Sequence, residues 1–313
     1  MTGRWKALRW AERLAAVLVV AFLGWYLVRN WQQVAAYRWN VDIPRLALAS
    51  ACLLAAYSGF VLVWRRLLRA FGATLSVADA HRVWYVGNLA RYVPGKVLQL
   101  AGTAYLARAK GVSPVVTVTS SVVAQLFVLC GAVVVAGLTL PDLTGRGATG
   151  FRTAGYVAAA TCGVITLTPV FGFLHRFTMY VTHRTDLHIP IPFSERLLAL
   201  VTTTVCMALF GLAFSVFVTA TTDVPRSAMI PLIGISAAGY LTAYVAVFVP
   251  AGLGVREGVY AILLAAYIPT SIAVAVAILA RLWLTLAEIA VVAFLLARYG
   301  TADLRAGAPS ALG

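Results

Sequence analysis

The chain has 313 residues, of which 62% are hydrophobic and 11% charged, and its mean hydropathy is +0.90. Soluble domains carry about 25% charged residues, so this composition predicts an integral membrane protein and leaves no stretch for a soluble catalytic domain. The net charge of +15 is spread between apolar segments instead of forming one dense patch. That spacing predicts contact with anionic lipid headgroups and excludes nucleic acid as a partner.

A helix needs about 20 apolar residues to cross a bilayer. The segments that reach this length are residues 11–30, 44–64, 113–138, 153–173, 195–220, 228–249 and 270–297. Two further stretches, 80–109 and 258–268, are too interrupted or too short for simple spans, and they predict broken or re-entrant helices. We therefore predict an all-α, polytopic membrane helix bundle of seven or eight spans. It forms one domain over residues 1–300, followed by a short polar tail over residues 301–313.

The Lys and Arg distribution predicts a multi-pass protein of the cell membrane with a cytoplasmic N-terminus, because basic residues are more frequent in the loops on that side. Seven crossings would then place Arg298 and Arg305 outside, against the same rule. An eighth crossing near 258–268 would return them to the cytoplasm, so the sequence leaves the count at seven or eight.

The first interruption carries candidate substrate-binding residues in the run Asn88-Leu-Ala-Arg91-Tyr-Val-Pro94-Gly95-Lys96. Gly95 lets the backbone approach a ligand closely. Arg91 and Lys96 suit phosphate, arginine through its planar fork and lysine as a point charge. Asn88 and Arg91 also continue a stripe from His81 through Trp84 or Tyr85 at helical spacing. The stripe either lines a cavity or lies at headgroup level with its basic face in water.

The second interruption lies between two strongly apolar segments and reads Pro250-Ala-Gly252-Leu-Gly254-Val-Arg256-Glu257-Gly258. Irregular backbone and charge at membrane depth are tolerated only where protein or a water-filled cavity covers them. We expect the next helix to begin near Gly258, where exposed N–H groups favour an anion. Glu257 also suits the helix dipole, which is a purely structural role. We take Pro250, Gly252, Gly254, Arg256 and Glu257 as substrate-binding candidates, with an ordinary surface loop as the alternative.

The last predicted span contains Arg281 and Glu288, seven residues apart and therefore on one helix face. An unpaired charge inside the bilayer costs several kcal/mol. Both side chains should therefore face the interior and pair with each other, with the interruptions or with substrate. A structural ion pair is the alternative to a binding role. Gln125, Tyr240 and Tyr244 are weaker candidates, because helix–helix hydrogen bonding explains them equally well.

The two interruptions resemble each other in their spacing. Pro94 lies 156 residues before Pro250, and Pro114 lies 155 before Pro269. In each copy, a Pro/Gly break precedes a short apolar helix, and a proline then begins a long span. Paired interruptions of this kind point to the binding site of a transporter, although coincidence among proline-bounded helices would give the same pattern.

Several chemistries lack their usual signatures. No two of the ten acidic residues are clustered as a divalent cation would require, and no nucleotide-binding or hydrolase motif appears. The four cysteines lie inside apolar runs without metal spacing. We therefore expect no metal, no cofactor and no enzymatic activity.

The two interrupted motifs resemble the signatures of the flippase-like membrane family, which includes the transmembrane part of lysylphosphatidylglycerol synthases. The resemblance spans nearly the whole chain, although Ala251 stands where the family usually has glycine. It implies movement of an anionic or headgroup-modified lipid between leaflets. The synthases' aminoacyltransferase domain is not expected here. Some stand-alone members are similar to companions of glycosyltransferases, which implies a lipid-linked sugar as substrate and a glycosyltransferase or lipid-modifying enzyme as partner.

Our leading hypothesis is a lipid translocase, or an accessory to one, in which Arg91, Lys96 and Arg256 hold a phosphate. Glu257 and Glu288 would orient the arginines or contact a cationic or sugar headgroup. One alternative is a membrane-embedded transferase with Glu257 as base. Another is a small-solute transporter, which predicts a compact site and no groove open sideways to the bilayer.

Overall fold

The computed structural model describes residues 24–26, 28–92, 96–140, 149–167, 191–246 and 252–300. Over these residues the regular structure is helical, with two short 3-10 turns at Leu89–Tyr92 and Arg226–Ala228. The α-helices are α1 (Trp31–Ala36), α2 (Ile43–Ala70), α3 (Val77–Asn88), α4 (Lys96–Arg108), α5 (Pro114–Thr139), α6 (Thr149–Leu167), α7 (Phe193–Thr221), α8 (Met229–Val245), α9 (Val255–Leu264) and α10 (Thr270–Tyr299).

Among the described residues, five helical segments are long and apolar enough to cross a membrane: α2, α5, α7, α10, and α8 with its preceding 3-10 turn. Each coincides with a span predicted from the sequence, and α6 falls within the predicted span 153–173 for most of its length. The polytopic, all-helical fold class is therefore confirmed. Most of the predicted span 11–30 and the tail 301–313 lie outside the described residues.

Local sequence signals set where these helices begin. The Asp42 side chain caps α2 by accepting a hydrogen bond from the Arg45 amide at 3.0 Å. Ser76 caps α3 in the same way, through the Asp79 amide at 3.0 Å. Satisfying an exposed amide at a helix start stabilises the helix by about 1 kcal/mol. Pro114 is the first residue of α5, where its missing N–H costs nothing.

The bundle has two ends that tertiary contacts define. At one end, which we call the Glu195 end, Arg66 donates two hydrogen bonds to Glu195 at 2.5 and 2.8 Å and so joins the end of α2 to the start of α7. At the other end, the Thr221 end, the amide of Asn40 donates to the Thr221 carbonyl at 3.3 Å. The 29-residue helix α7 connects the two ends, over roughly 42 Å.

Two helical hairpins enter the bundle from opposite ends. Asp79 near the start of α3 pairs with Lys110, just after α4, at 3.0 Å, so both termini of that hairpin lie at one end. Arg82 of α3 also donates to the Gly300 carbonyl at 3.0 Å, next to the end of α10. Helices α8 and α9 form the second hairpin, and Leu264 at the end of α9 packs in one cluster with Leu232 near the start of α8. This opposition is the arrangement of an inverted repeat.

The second hairpin sets the direction in which the last span crosses the bundle. Helix α9 returns the chain to the Thr221 end, so that α10 crosses the bundle and finishes beside Arg82 at the Glu195 end. The short stretch 258–268 thus supplies the additional, partial crossing considered from the sequence. Arg298 then lies at the same end as Arg66 and Arg82.

Small residues let the helices approach closely. A Cβ added to Gly137 of α5 would lie 2.7 Å from the Gly155 carbonyl oxygen of α6, and one added to Gly131 would lie 3.0 Å from the backbone of Thr203 in α7. Close approach through glycine is typical of helices that pack within a bilayer, where van der Waals contact replaces hydrophobic burial as the driving force.

Candidate functional site

The second interruption turns the chain from α8 into α9. Gly252 and Gly254 have φ angles of +65° and +82°, in the left-handed region that glycine adopts without strain. Helix α9 begins at Val255, three residues before the expected start at Gly258, because Gly254 completes the turn by itself. Arg256 and Glu257 therefore lie in the first turn of a helix and not in a loop.

Glu257 holds this turn together. The residue is buried, and Oε2 accepts a hydrogen bond from the Gly254 amide at 2.5 Å. Its Oε1 lies 3.6 Å from Nη1 of Arg281 on α10, which forms an ion pair. Glu257 therefore caps α9, a role more specific than the helix-dipole interaction expected from the sequence. Arg281 pairs with the interruption, one of the three partners that the sequence allowed.

Arg256 lies against aromatic rings. Its Nε donates to the Tyr260 hydroxyl at 2.8 Å, and the guanidinium lies 5.2 Å from the ring centroid of Phe210 and 5.3 Å from that of Tyr260. Cation–π contacts of this kind are worth about 2 kcal/mol when desolvated. Its Nη2 is enclosed and has no hydrogen-bond partner among the described residues, so this nitrogen has N–H donors available for an anionic ligand.

Aromatic residues from three further helices surround this arginine. Tyr57 of α2 stacks on Phe210 of α7 at 5.9 Å, and Tyr240 of α8 meets the edge of Phe210 at 6.3 Å. Gln125 of α5 donates to the Tyr240 hydroxyl at 3.0 Å. We call Tyr57, Phe210, Tyr240, Arg256, Glu257, Tyr260 and Arg281 the Arg256 cluster.

The Arg256 cluster lies deep in the bundle. Phe210 is 17 residues from the start of α7 and 11 from its end, or roughly 26 Å and 17 Å along the helix axis. Apolar spans surround the charges at this depth, where an isolated charge is costly. The surface-loop alternative for Arg256 and Glu257 is therefore excluded.

Glu288 connects the cluster to the first hairpin. It is 8% exposed on α10, and its carboxylate lies near the hydroxyl of Tyr85 in α3. Tyr85 meets Tyr57 edge-on at 6.4 Å. Arg281 and Glu288 do face the interior, as their spacing predicted, and Arg281 is paired with Glu257.

The first interruption is described only in part. The amide of Gln99 donates to the Asn88 side-chain oxygen across the α3–α4 hairpin. Arg91 lies in the 3-10 turn and Lys96 begins α4, but their side chains lie outside the described part of the structure, as do Pro94, Gly95 and Pro250. A phosphate-binding role for these residues remains a prediction.

The residues of the predicted polar stripe on α3 do not all face the same surroundings. Tyr85 is buried and faces the interior, whereas Trp84 packs against Trp64 of α2 at 5.5 Å. His81 donates from Nδ1 to the Val77 carbonyl of its own helix at 2.8 Å. Only Tyr85 of these three contributes to the interior polar region.

The sequence reasoning missed Phe210, Tyr57 and Tyr260, which form the walls around Arg256. Each lies in an apolar run without a local signal, since aromatic residues at helical spacing are ordinary core residues. Tyr260 is four residues after Arg256, so the i,i+4 rule could have found that contact. Phe210 and Tyr57 reach the site only through tertiary packing.

The described residues contain no group of three or more His, Cys, Asp or Glu side chains that could bind a metal ion. Cys130 of α5 and Cys162 of α6 are free thiols that lie close to each other. Their proximity, which the sequence did not predict, follows from the close packing of these two helices.

A groove lies between α2, α7 and α10, with a volume of about 950 Å³, and we call it the lateral groove. Trp283 stacks on Phe217 at 4.6 Å at its base and donates from Nε1 to the Ser50 hydroxyl at 3.0 Å. Its walls are almost wholly apolar and include Leu46, Leu54, Leu279, Leu282, Leu286 and Phe294. This lateral groove lies on the opposite face of α10 from Arg281.

Buried charges at the tip of an interrupted hairpin, surrounded by apolar spans, define a polytopic helical membrane protein with an interior polar site. The model of the lysylphosphatidylglycerol synthase TM region family matches residues 13–300. The chain therefore belongs to that family, which supports a membrane protein related to lipid modification or translocation. A search of curated proteins finds no match to the chain.

Proposed function

We propose that this protein is a lipid translocase that works without ATP. It would move a phosphate-bearing lipid between leaflets: an anionic phospholipid, a lipid-linked sugar or an aminoacylated lipid. The observation that carries the proposal is Arg256, whose enclosed Nη2 has no acceptor among the described residues. An unsatisfied buried donor costs about 1–3 kcal/mol, and a phosphate oxygen would remove that cost with a charge-assisted hydrogen bond.

The neighbouring charges fit this role. Because Glu257 is engaged with the Gly254 amide and Arg281, it leaves the charge of Arg256 available to a ligand. Glu288, buried beside Tyr85, would contact an amine or hydroxyl group of the same headgroup. We assign no catalytic step to Glu257, because Oε2 caps α9 through the Gly254 amide and Oε1 faces the Arg281 guanidinium at 3.6 Å, although without a hydrogen bond.

The architecture also favours transport of a lipid. Two hairpins enter from opposite ends, as in transporters built from inverted repeats, and the second carries Arg256 and the buried Glu257 at its interrupted tip. The lateral groove between α2, α7 and α10 has almost wholly apolar walls, which favour a lipid over a small polar solute. We further propose that the Glu195 end is cytoplasmic in the cell membrane, and that a lipid-modifying enzyme or glycosyltransferase supplies or consumes the lipid.

The test is translocation in liposomes that contain a fluorescent phosphatidylglycerol, with a membrane-impermeant reductant that bleaches only the outer leaflet. Wild-type protein should bring the protected inner pool within reach of the reductant. Arg256→Gln should slow this step about tenfold or more, since a charge-assisted hydrogen bond is worth roughly 1.5–3 kcal/mol. Arg226→Gln is the matched control, because Arg226 is exposed at the Thr221 end.

Two results would count against the proposal in different ways. If Arg256→Gln combined with Glu257→Gln kept the wild-type rate, the site assignment would be wrong. If wild-type protein moved none of the phosphatidylglycerol, lipid-linked sugar and aminoacylated lipid probes, the translocase function itself would be wrong.

A further inference from the structure

The lateral groove has the dimensions of a chain-binding site. Its residues on α10 run from Leu279 to Phe294, roughly 22 Å along the helix, whereas one leaflet's hydrocarbon layer is roughly 15 Å thick. Helix α10 packs along α9, α3, α1 and α7 but makes at most sparse contact with α2. The groove therefore lies in a gap between the spans α2 and α10 and is not merely an uneven part of the lipid-facing surface.

One end of the groove carries the features of a headgroup site. Trp39 and Val41 line it at the Thr221 end, and tryptophan prefers the level of lipid headgroups. Arg38, next to Trp39, is exposed, and in the described part of the chain no acceptor or acidic partner is recorded for it. Arg45 is 54% exposed and pairs with Asp42 at 3.1 Å. Because Asp42 neutralises Arg45, which also donates to the Thr219 carbonyl at 3.4 Å, the net positive charge at this end of the groove is that of Arg38.

We propose that the lateral groove binds one acyl chain of an anionic phospholipid, with the phosphate beside Arg38 and Arg45. Charge complementarity at the mouth selects an anionic headgroup, and the apolar walls exclude a polar peptide or nucleotide. Trp283 and Ser50 satisfy each other at the base, so the chain meets no unpaired polar group there. The inference rests on the proposed function only in taking lipids as what the protein handles, because the site lies on the opposite face of α10 from the Arg256 cluster.

The groove can be filled without touching the Arg256 cluster. Ala290 lines the groove and is exposed, so Ala290→Trp would place an indole where the chain should lie. Ala55 is the matched control, since it is an exposed alanine of α2 outside the groove. Arg38→Gln with Arg45→Gln tests the headgroup contribution and leaves the walls unchanged.

The experiment measures binding. Purified protein in detergent is titrated with phosphatidylglycerol and with phosphatidylcholine of the same chains, and the bound lipid is counted by native mass spectrometry. A phosphatidylglycerol with a photoreactive group in mid-chain then identifies the labelled peptides. We expect labelling on α10 and α2, about tenfold weaker phosphatidylglycerol binding in Ala290→Trp, and wild-type binding in Ala55→Trp. The double arginine variant should lose the preference for phosphatidylglycerol over phosphatidylcholine.

Four outcomes would overturn the inference. Equal binding by Ala290→Trp and Ala55→Trp would remove the groove as the site. Labelling confined to residues 1–23 of the chain would show that this segment fills the groove. Displacement of phosphatidylglycerol by a lower concentration of a polyprenyl phosphate would assign the groove to an isoprenoid chain. Equal binding of both phospholipids by wild type would remove the headgroup assignment. None of these results depends on transport, so the test fails or succeeds separately from the translocase proposal.

Discussion

Glu257 and Arg281 form an ion pair between the short helix α9 and the long helix α10, with 3.6 Å between Oε1 and Nη1. Both side chains are largely enclosed, with 5% and 16% of their surfaces exposed. The pair therefore ties the tip of the second hairpin to a helix that crosses the bundle. Glu257 also caps α9 through the Gly254 amide, so the same carboxylate stabilises the start of α9 and links α9 to α10.

Separating these two roles of Glu257 gives the first prediction. Glu257→Gln keeps an oxygen for the Gly254 amide but removes the charge opposite Arg281, and we expect it to lower the free energy of unfolding by about 2–3 kcal/mol. Glu257→Ala should cost about 1 kcal/mol more, because the cap is also lost. Thermal unfolding in detergent measures both. Equal stability of the two variants would show that the cap contributes nothing.

Gly254 provides a second prediction, from its φ of +82°. Gly254→Ala should destabilise the protein by about 1–2 kcal/mol, because a Cβ disfavours the left-handed conformation. Gly258 is the matched control, four residues on in the same helix and with no atom within 4 Å of an added Cβ. Gly258→Ala should raise the unfolding temperature slightly, since alanine is the better helix former. A reversed order would contradict the turn geometry.

The position of Tyr260 beside Arg256 depends on Gly239. A Cβ at Gly239 would collide with the Tyr260 ring, so Gly239→Ala should push the ring and slow translocation, with an overpacking cost of about 1–3 kcal/mol. Gly163→Ala is the control, because nothing lies within 4 Å of its Cβ. The liposome assay gives the rates. Loss of stability in Gly239→Ala without a change in rate would show that Tyr260 has no part in the site.

Asp79 at the Glu195 end makes stability sensitive to acid. Burial acts to raise the pKa of this carboxyl, but hydrogen bonds from Ser76 and Lys110 and the charges of Lys110 and Arg82 outweigh it and leave the pKa below its usual value. A lowered folded-state pKa contributes stability that is present above the unfolded pKa of 3.8 and lost as the pH falls through the folded value. Asp79→Asn should therefore be less stable than wild type at pH 7, and the difference should disappear in acid. Unfolding temperatures from pH 7 down to about pH 3 measure it, and a difference independent of pH would contradict the assignment.

The orientation prediction rests on exposed arginines at the two ends. Arg69 lies at the Glu195 end and Arg226 at the Thr221 end, and both are exposed. With the Glu195 end in the cytoplasm, a membrane-impermeant maleimide should label Arg226→Cys in intact cells. It should label Arg69→Cys only after permeabilisation, and wild type provides the background of the four native thiols. The opposite pattern would invert the topology.

Much of the fold could be predicted because hydropathy and helix boundaries are local properties. The predicted spans 44–64, 195–220 and 270–297 lie within longer helices, and the span 113–138 is offset from α5 by one residue. The apolar core of each span crosses the bilayer, and turns at the ends account for the differences. The start of α9 was placed three residues late, because a single left-handed glycine can end a turn without further irregular backbone.

The sequence by itself determined that this is a polytopic helical protein, that two interrupted segments carry its charges, and that Arg281 and Glu288 face inward. Those conclusions follow from composition, periodicity and the cost of charge in lipid. Only the tertiary structure decided that Arg281 pairs with Glu257 and that Phe210 and Tyr57 pack beside the Arg256 site. It also decided that a groove lies between α2 and α10. These contacts join residues far apart in the chain, and their geometry depends on how whole helices pack, which no local pattern encodes.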